Sequence, residues 1–154
     1  MAERTRALAA VRDVPHEVLE YTPSKDHFGA HSVAELGLDP TRVLKTLVVE
    51  HGRDLALCLV PVAGRLDPKA AARALGWKNA ALTDPARAQR ATGYVVGGIS
   101  PLGTATKLRT LIDATVAALS TVTVSGGQRG VSIALAPSDL AALTGAEFAP
   151  ISKS

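Results

Sequence analysis

Lys45 stands in the middle of the apolar run Val43-Leu44-Lys45-Thr46-Leu47-Val48-Val49, and well downstream the chain reads Gly97-Gly98-Ile99-Ser100-Pro101-Leu102-Gly103. A cation and a stretch of bare backbone are the two ingredients of oxyanion chemistry. The ammonium draws negative charge, and amide N–H groups can be approached by a carbonyl oxygen because no Cβ stands in the way. In an extended strand side chains alternate, so Lys45 shares a face with Val43, Leu47 and Val49, while Leu44, Thr46 and Val48 take the other. Placing an ammonium on an apolar face costs free energy unless it is paired or opens onto a wet cleft. Two readings follow from these residues alone: a strand-end lysine that snorkels to solvent, or a functional cation. The glycine loop is equally open, either a turn between strands or a cradle for a carbonyl stiffened by Pro101. It matches neither the Walker pattern nor the dinucleotide fingerprint, so nucleoside triphosphate and NAD chemistry have no support.

Other constellations are weaker. His27 and His31, four residues apart with Glu35 one turn on, would suit a helical metal site, but Gly29 interrupts the helix. With no His-Glu-x-x-His motif and no cysteine nearby, no metal and no cofactor is expected. Gly126-Gly127-Gln128 repeats the triplet with which peptide-release factors hydrolyse peptidyl-tRNA, yet its place between two strand patterns reads as a hairpin turn. Lys107, Arg109 and Arg129 are basic residues in or near the loops, available to phosphates or simply solvated. No Ser/Thr–His–carboxylate triad can be read from spacing, because triads assemble in space.

The elements that must position these groups mix without a regular βαβ rhythm. Residues 3–12 carry a short helical pattern, Glu17 to Tyr21 can extend, and Ala30 to Leu36 forms a helix ending at Gly37. The Lys45 strand turns at His51-Gly52-Arg53-Asp54 into Leu55 to Val60. Asp67-Pro68 and Asp84-Pro85 each supply an N-cap and an N1 proline, starting helices that run to Gly76 and Thr92. Strands are expected over Tyr94 to Val96, Thr110 to Asp113, Thr121 to Ser125 and Val131 to Leu135, and a last helix starts at Pro137. The expected class is α+β: one domain over residues 1–154, with a mixed, barrel-like sheet surrounded by short helices.

Composition sets bounds. The 47% hydrophobic content of 154 residues is enough for a sizeable core. No apolar run approaches the ~20 residues of a membrane helix and no signal-peptide core opens the chain, so a cytoplasmic location is expected. The single Cys58 excludes an internal disulfide and reads as strand packing within Leu-Ala-Leu-Cys-Leu-Val. A net charge of +3 permits polyanions, while aromatics at 3% are too few for stacked platforms, so any nucleic-acid contact should be local.

Tyr21, Phe28-Gly29, Val43 to Thr46, Pro61-Val62-Ala63-Gly64, Thr92-Gly93-Tyr94, Gly97 to Gly103 and Val124 to Gly127 fall into a familiar order. From about Tyr21 to Leu140 the chain resembles the YbaK-type Cys-tRNA(Pro) deacylases. The resemblance implies a six- or seven-stranded barrel-like sheet, hydrolysis of a wrong amino acid from tRNA(Pro) in trans, and a transient complex with prolyl-tRNA synthetase. It implies that Lys45 is the functional lysine and that Gly97, Gly98, Ile99, Ser100 and Pro101 form the family's Gly-x-x-x-Pro loop. Tyr21, Phe28, Thr46 and Ser125 would then shape the pocket. Ser132 stands where several cysteine-specific members carry an acid, so strict cysteine preference is not implied. The resembling family is thought to use the cysteine substrate's own thiol as nucleophile, which would account for a site without a protein nucleophile. Deacylation of another small residue, such as Ala on tRNA(Pro), and a non-catalytic tRNA- or synthetase-binding module are the competing readings.

Overall fold

The computed structural model describes residues 5–22 and 36–154. Thr5 caps α1 (Arg6–Ala10) by accepting the Leu8 N–H, and β1 (His16–Glu20) follows. The alternating run around Lys45 becomes β2 (Leu44–His51), which turns into β3 (Asp54–Pro61) as an antiparallel hairpin with Lys45 opposite Val60. A two-residue strand, β4 (Arg65–Leu66), leads to α2 (Pro68–Leu75). There the Asp67 carboxylate accepts the Lys69 and Ala70 N–H groups, as the Asp-Pro signal requires. After β5 (Ala81–Leu82) the same device starts α3 (Pro85–Thr92), with Asp84 accepting from Arg87 N–H.

Beyond α3 the chain takes the long loop 93–108 to β6 (Arg109–Asp113). The hairpin β7 (Val122–Ser125) and β8 (Val131–Leu135) comes next, then α4 (Pro137–Thr144), β9 (Glu147–Ala149) and β10 (Ser152–Lys153). Tyr94 to Val96 is not a strand. Its N–H groups are taken locally: Tyr94 N–H donates to Thr92 Oγ1 and Val96 N–H to the Gln89 side chain, which leaves no ladder to join.

The α+β class expected from the sequence holds, though the described strands pair as three sheets rather than one closed barrel. A five-stranded mixed sheet runs β5-β2-β3-β6-β9, a three-stranded antiparallel sheet runs β1-β8-β7, and β10 pairs with β4. The two larger sheets touch through a parallel bridge between Val43 and Thr123. The five-stranded sheet is the middle layer. Leu44, Val48, Leu57, Leu59 and Ile112 on one face bury against Val124, Ile133 and Leu140. On the other face Val49, Cys58, Val60 and Leu111 meet Ala71 and Leu75 of α2. Cys58 is fully buried in that second layer, and burial pushes its thiol up to about 12, so it is an inert packing residue and no nucleophile. At the end of β6 the buried Asp113 carboxylate accepts the Ile151 and Ser152 N–H groups and the Ser152 hydroxyl, tying the C-terminal strand to the sheet. No helix among the described residues is long and apolar enough to cross a membrane.

Candidate active site

The site begins with a gap in strand pairing. On its inner side β2 pairs with β3 along its whole length, but on its outer side β5 reaches only Val49 and Glu50. Val43 turns its carbonyl to the inner side, where Val62 N–H donates to it at 2.7 Å, and Val48 turns its own outward to Thr83 N–H at 2.9 Å. Alternation then directs the backbone groups of Leu44 and Thr46 outward. The bridge to Thr123 reaches the start of that stretch, and no described strand pairs with Thr46 on that outer side. A cleft of about 480 Å³ wraps this edge, so it is lined by residues from both faces of β2, among them Leu44, Lys45, Thr46 and Leu47.

Lys45 is held at the cleft by the turn after β3. Gly64 N–H donates to Pro61 carbonyl at 3.0 Å, and the Gly64 carbonyl so placed accepts the Lys45 Nζ at 3.0 Å. Partial burial holds the Lys45 ammonium below the ordinary lysine value of 10.5.

Gly97 and Ile99 bring the glycine loop to the cleft, and Tyr21, Ser125 and Ser132 close it from the three-stranded sheet. Ser125 and Ser132 sit directly opposite one another in the β7–β8 hairpin, and the Tyr21 N–H is fixed on the Gly130 carbonyl at 2.9 Å. Gly97 has φ +92°, a left-handed conformation that side chains resist. Gly98, Ser100 and Pro101, expected at the substrate, do not line the cleft but support the loop from behind. The Gly98 N–H is engaged by the Val95 carbonyl at 2.9 Å. A Cβ there would come within 2.8 Å of Gln128 Cα and 3.0 Å of Arg129 N, so its bare backbone admits the Gln128 turn rather than a ligand. Ser100 is fully buried and its hydroxyl accepts Leu102 N–H, while Pro101 is buried beside it.

The rest of the loop is anchored at several points. Arg129 Nε donates to the Val96 carbonyl at 2.9 Å, and the Tyr94 hydroxyl donates to the Leu102 carbonyl at 2.5 Å. The Thr5 hydroxyl fastens the β7–β8 turn by donating to the Gly126 carbonyl at 2.6 Å. Gln128 therefore belongs to a supporting hairpin turn. Arg109 lies elsewhere, donating to the Leu75 and Ala74 carbonyls at the end of α2, and Lys107 is exposed. Phe28, His27, His31 and Glu35 fall outside the described residues. Sequence reasoning missed Val62, Leu82, Thr83, Ala88 and Val96, all of which line the cleft. Only the helix start at Asp84-Pro85 hinted that the chain turns there.

The fold is a small α+β domain in which Lys45 and the Gly97 loop line one cleft. Residues 27–143 match the description of the aminoacyl-tRNA editing domain. The chain belongs to that family, and the YbaK-type likeness seen in its sequence is borne out. It is 35% identical over 153 residues to the Enterococcus faecalis protein EbsC, provisionally named a Cys-tRNA(Pro)/Cys-tRNA(Cys) deacylase, covering 97% of this chain and 93% of that one. A solved structure provisionally described as a trans-editing enzyme for prolyl-tRNA synthetase superposes with a TM-score of 0.84 at 26% identity, covering 97% and 96% of the two chains. A scaffold used for computational epitope grafting superposes at 0.85 and 25% identity, over 97% of this chain and 96% of its own.

Two outcomes follow from the geometry. Lys45→Met removes an ammonium that is costlier to hold in the folded than in the unfolded chain. Because the folded lysine pKa is the lower one, the unfolded state binds more protons between that value and 10.5, and wild-type stability rises with pH through this window. Denaturant titrations should therefore show the variant gaining on wild type at neutral pH and the gain fading towards pH 10.5; a gain that grows with pH contradicts the assignment. Gly98→Val should lower stability by about 1–3 kcal/mol through its clash with the Gln128 backbone, with turnover falling alongside. A variant as stable as wild type but inactive would mean that Gly98 faces the substrate after all.

Proposed function

We propose that this chain hydrolyses the ester of a mischarged tRNA in trans, with Cys-tRNA(Pro) the preferred substrate, acting on the acceptor end and in transient association with prolyl-tRNA synthetase. The observation that carries the reading is the meeting of Lys45 and Gly97, remote in sequence, on one cleft. Family membership supplies the reaction class.

An aminoacyl ester is already activated, so holding it in place and stabilising the developing charge suffice without a strong protein base. Water adds to the carbonyl carbon and the carbonyl oxygen takes up negative charge. Collapse then breaks the bond to the ribose oxygen, which leaves with a proton, giving free amino acid and an intact tRNA terminus. For a cysteinyl ester the substrate's own thiol can make the attack, forming the S–C bond as the bond between the acyl carbon and the ribose oxygen breaks, with the thiol proton passing to that oxygen; water then opens the thiolactone. Lys45 draws the terminal phosphate or the carbonyl oxygen, the backbone of Gly97 and Ile99 receives the oxyanion, and Tyr21, Thr46, Ser125 and Ser132 frame the aminoacyl group.

Single-turnover deacylation of Cys-, Ser-, Ala- and Pro-tRNA(Pro) tests this. Cys-tRNA(Pro) should be cleaved fastest, and Ser-tRNA(Pro) turning over equally fast would remove the thiol-assisted route. Lys45→Ala should lower the rate about 10²-fold or more. Lys45→Arg should rescue it poorly, since a planar guanidinium does not replace a compact ammonium. An alanine variant at the wild-type rate would leave Lys45 a packing residue and favour a non-catalytic binding module.

A further inference from the structure

Among the described residues, two hydroxyls in the cleft have no partner. Thr46 Oγ1 and Thr83 Oγ1 are both shut off from solvent and make no hydrogen bond to a described residue, although both residues line the cleft. A buried hydroxyl left unpaired is costly, and native structures rarely keep one without a use. Here there are two, and the strand register places them together. Ala81 lies opposite Glu50 and Leu82 opposite Val49, so Thr83, whose N–H continues the ladder onto the Val48 carbonyl, lies opposite Val48. Residues directly opposite share a face of the sheet, which puts Thr83 on the face of Val48 and Thr46, as the diagonal neighbour of Thr46 at roughly 7–8 Å. That spacing leaves room for one small polar group between them. The wall around the pair is otherwise apolar, formed by Leu44, Val48, Ala88 and Val124. Each threonine is partly exposed along the cleft although its oxygen is not. A rotation about χ1 exchanges γ-methyl and hydroxyl and brings the oxygen to the ligand.

We propose that Thr83, together with Thr46, is a specificity-determining residue that selects aminoacyl groups with a short side chain bearing a thiol or hydroxyl. Such a side chain gives both threonines the partner they lack, whereas a methyl group or a pyrrolidine ring leaves them unpaired in an apolar wall. Sites that hydrogen-bond a substrate group discriminate strongly against analogues without it. The inference rests on the deacylase reading for its substrate, and its test is independent of turnover.

The experiment measures the affinity of wild type, Thr83→Val and Thr83→Ser for cysteinyl- and alanyl-adenosine linked through a non-hydrolysable 3′-amide. Wild type should prefer the cysteinyl analogue. Thr83→Val, nearly isosteric and relieved of an unpaired hydroxyl, should unfold at no lower denaturant concentration than wild type. It should nevertheless lose about tenfold in affinity for the cysteinyl analogue, with the alanyl analogue bound as before or tighter. Thr83→Ser should retain the preference. A cysteinyl-to-alanyl ratio unchanged in Thr83→Val, or a wild type indifferent between the analogues, overturns the assignment. Failure of the deacylase reading would show instead as binding without cleavage of any charged tRNA.

Discussion

The structure turns on a length of strand edge that the five-stranded sheet leaves uncovered. β3 satisfies β2 completely on one side. On the other, β5 stops at Val49 and the bridge to Thr123 begins only at Val43. Between those points, around Thr46, no described strand pairs with the outer edge, a condition that stable sheets ordinarily avoid by covering or charging their edges. The same gap explains how residues from opposite faces of one strand, Lys45 and Thr46, can line a single cavity. Lys45 can sit in an otherwise apolar run because its ammonium donates to the Gly64 carbonyl in the turn after β3.

The opposite wall is made rigid by backbone meeting backbone. The glycine loop lies flat on the β7–β8 turn because Gly98 has no side chain, and Arg129 and Tyr94 tie the loop at the Val96 and Leu102 carbonyls. Gly97 and Ile99 are thereby held at the cleft by backbone contacts from the β7–β8 turn and by the Arg129 and Tyr94 hydrogen bonds. The hairpin reaches back through Thr5 to α1. A loop that looks like a substrate cradle in one dimension is thus divided in space: Gly97 and Ile99 face the cleft, while Gly98, Ser100 and Pro101 hold them there.

Much of this was legible beforehand. The Lys45 hairpin, the Asp-Pro helix starts and the β7–β8 hairpin carry local signals, because capping, alternation and turn chemistry act within a few residues. What escaped depends on tertiary pairing. Strands of two residues, such as Ala81–Leu82 and Arg65–Leu66, show no period at all. Tyr94 to Val96 has strand-like composition but spends its N–H groups on Thr92 and Gln89. Thr83 enters the site only because the β5 ladder carries it to Val48, a register no linear spacing reveals. The reason for Gly98 was likewise hidden, since its neighbour Gln128 is thirty residues away in sequence and in contact in space.

The central claim is that the aminoacyl ester docks against the open edge of β2 between Lys45 and the Gly97 loop. Amide chemical-shift mapping with the non-hydrolysable cysteinyl-adenosine analogue tests it most directly. The account predicts the largest shifts at residues 44–48, 83, 96–99, 125 and 132, with Lys45→Ala weakening the response without moving it. Shifts centred instead on the shallow groove between α1 and Gly103, lined by Arg6, Arg12 and Thr104, would contradict it.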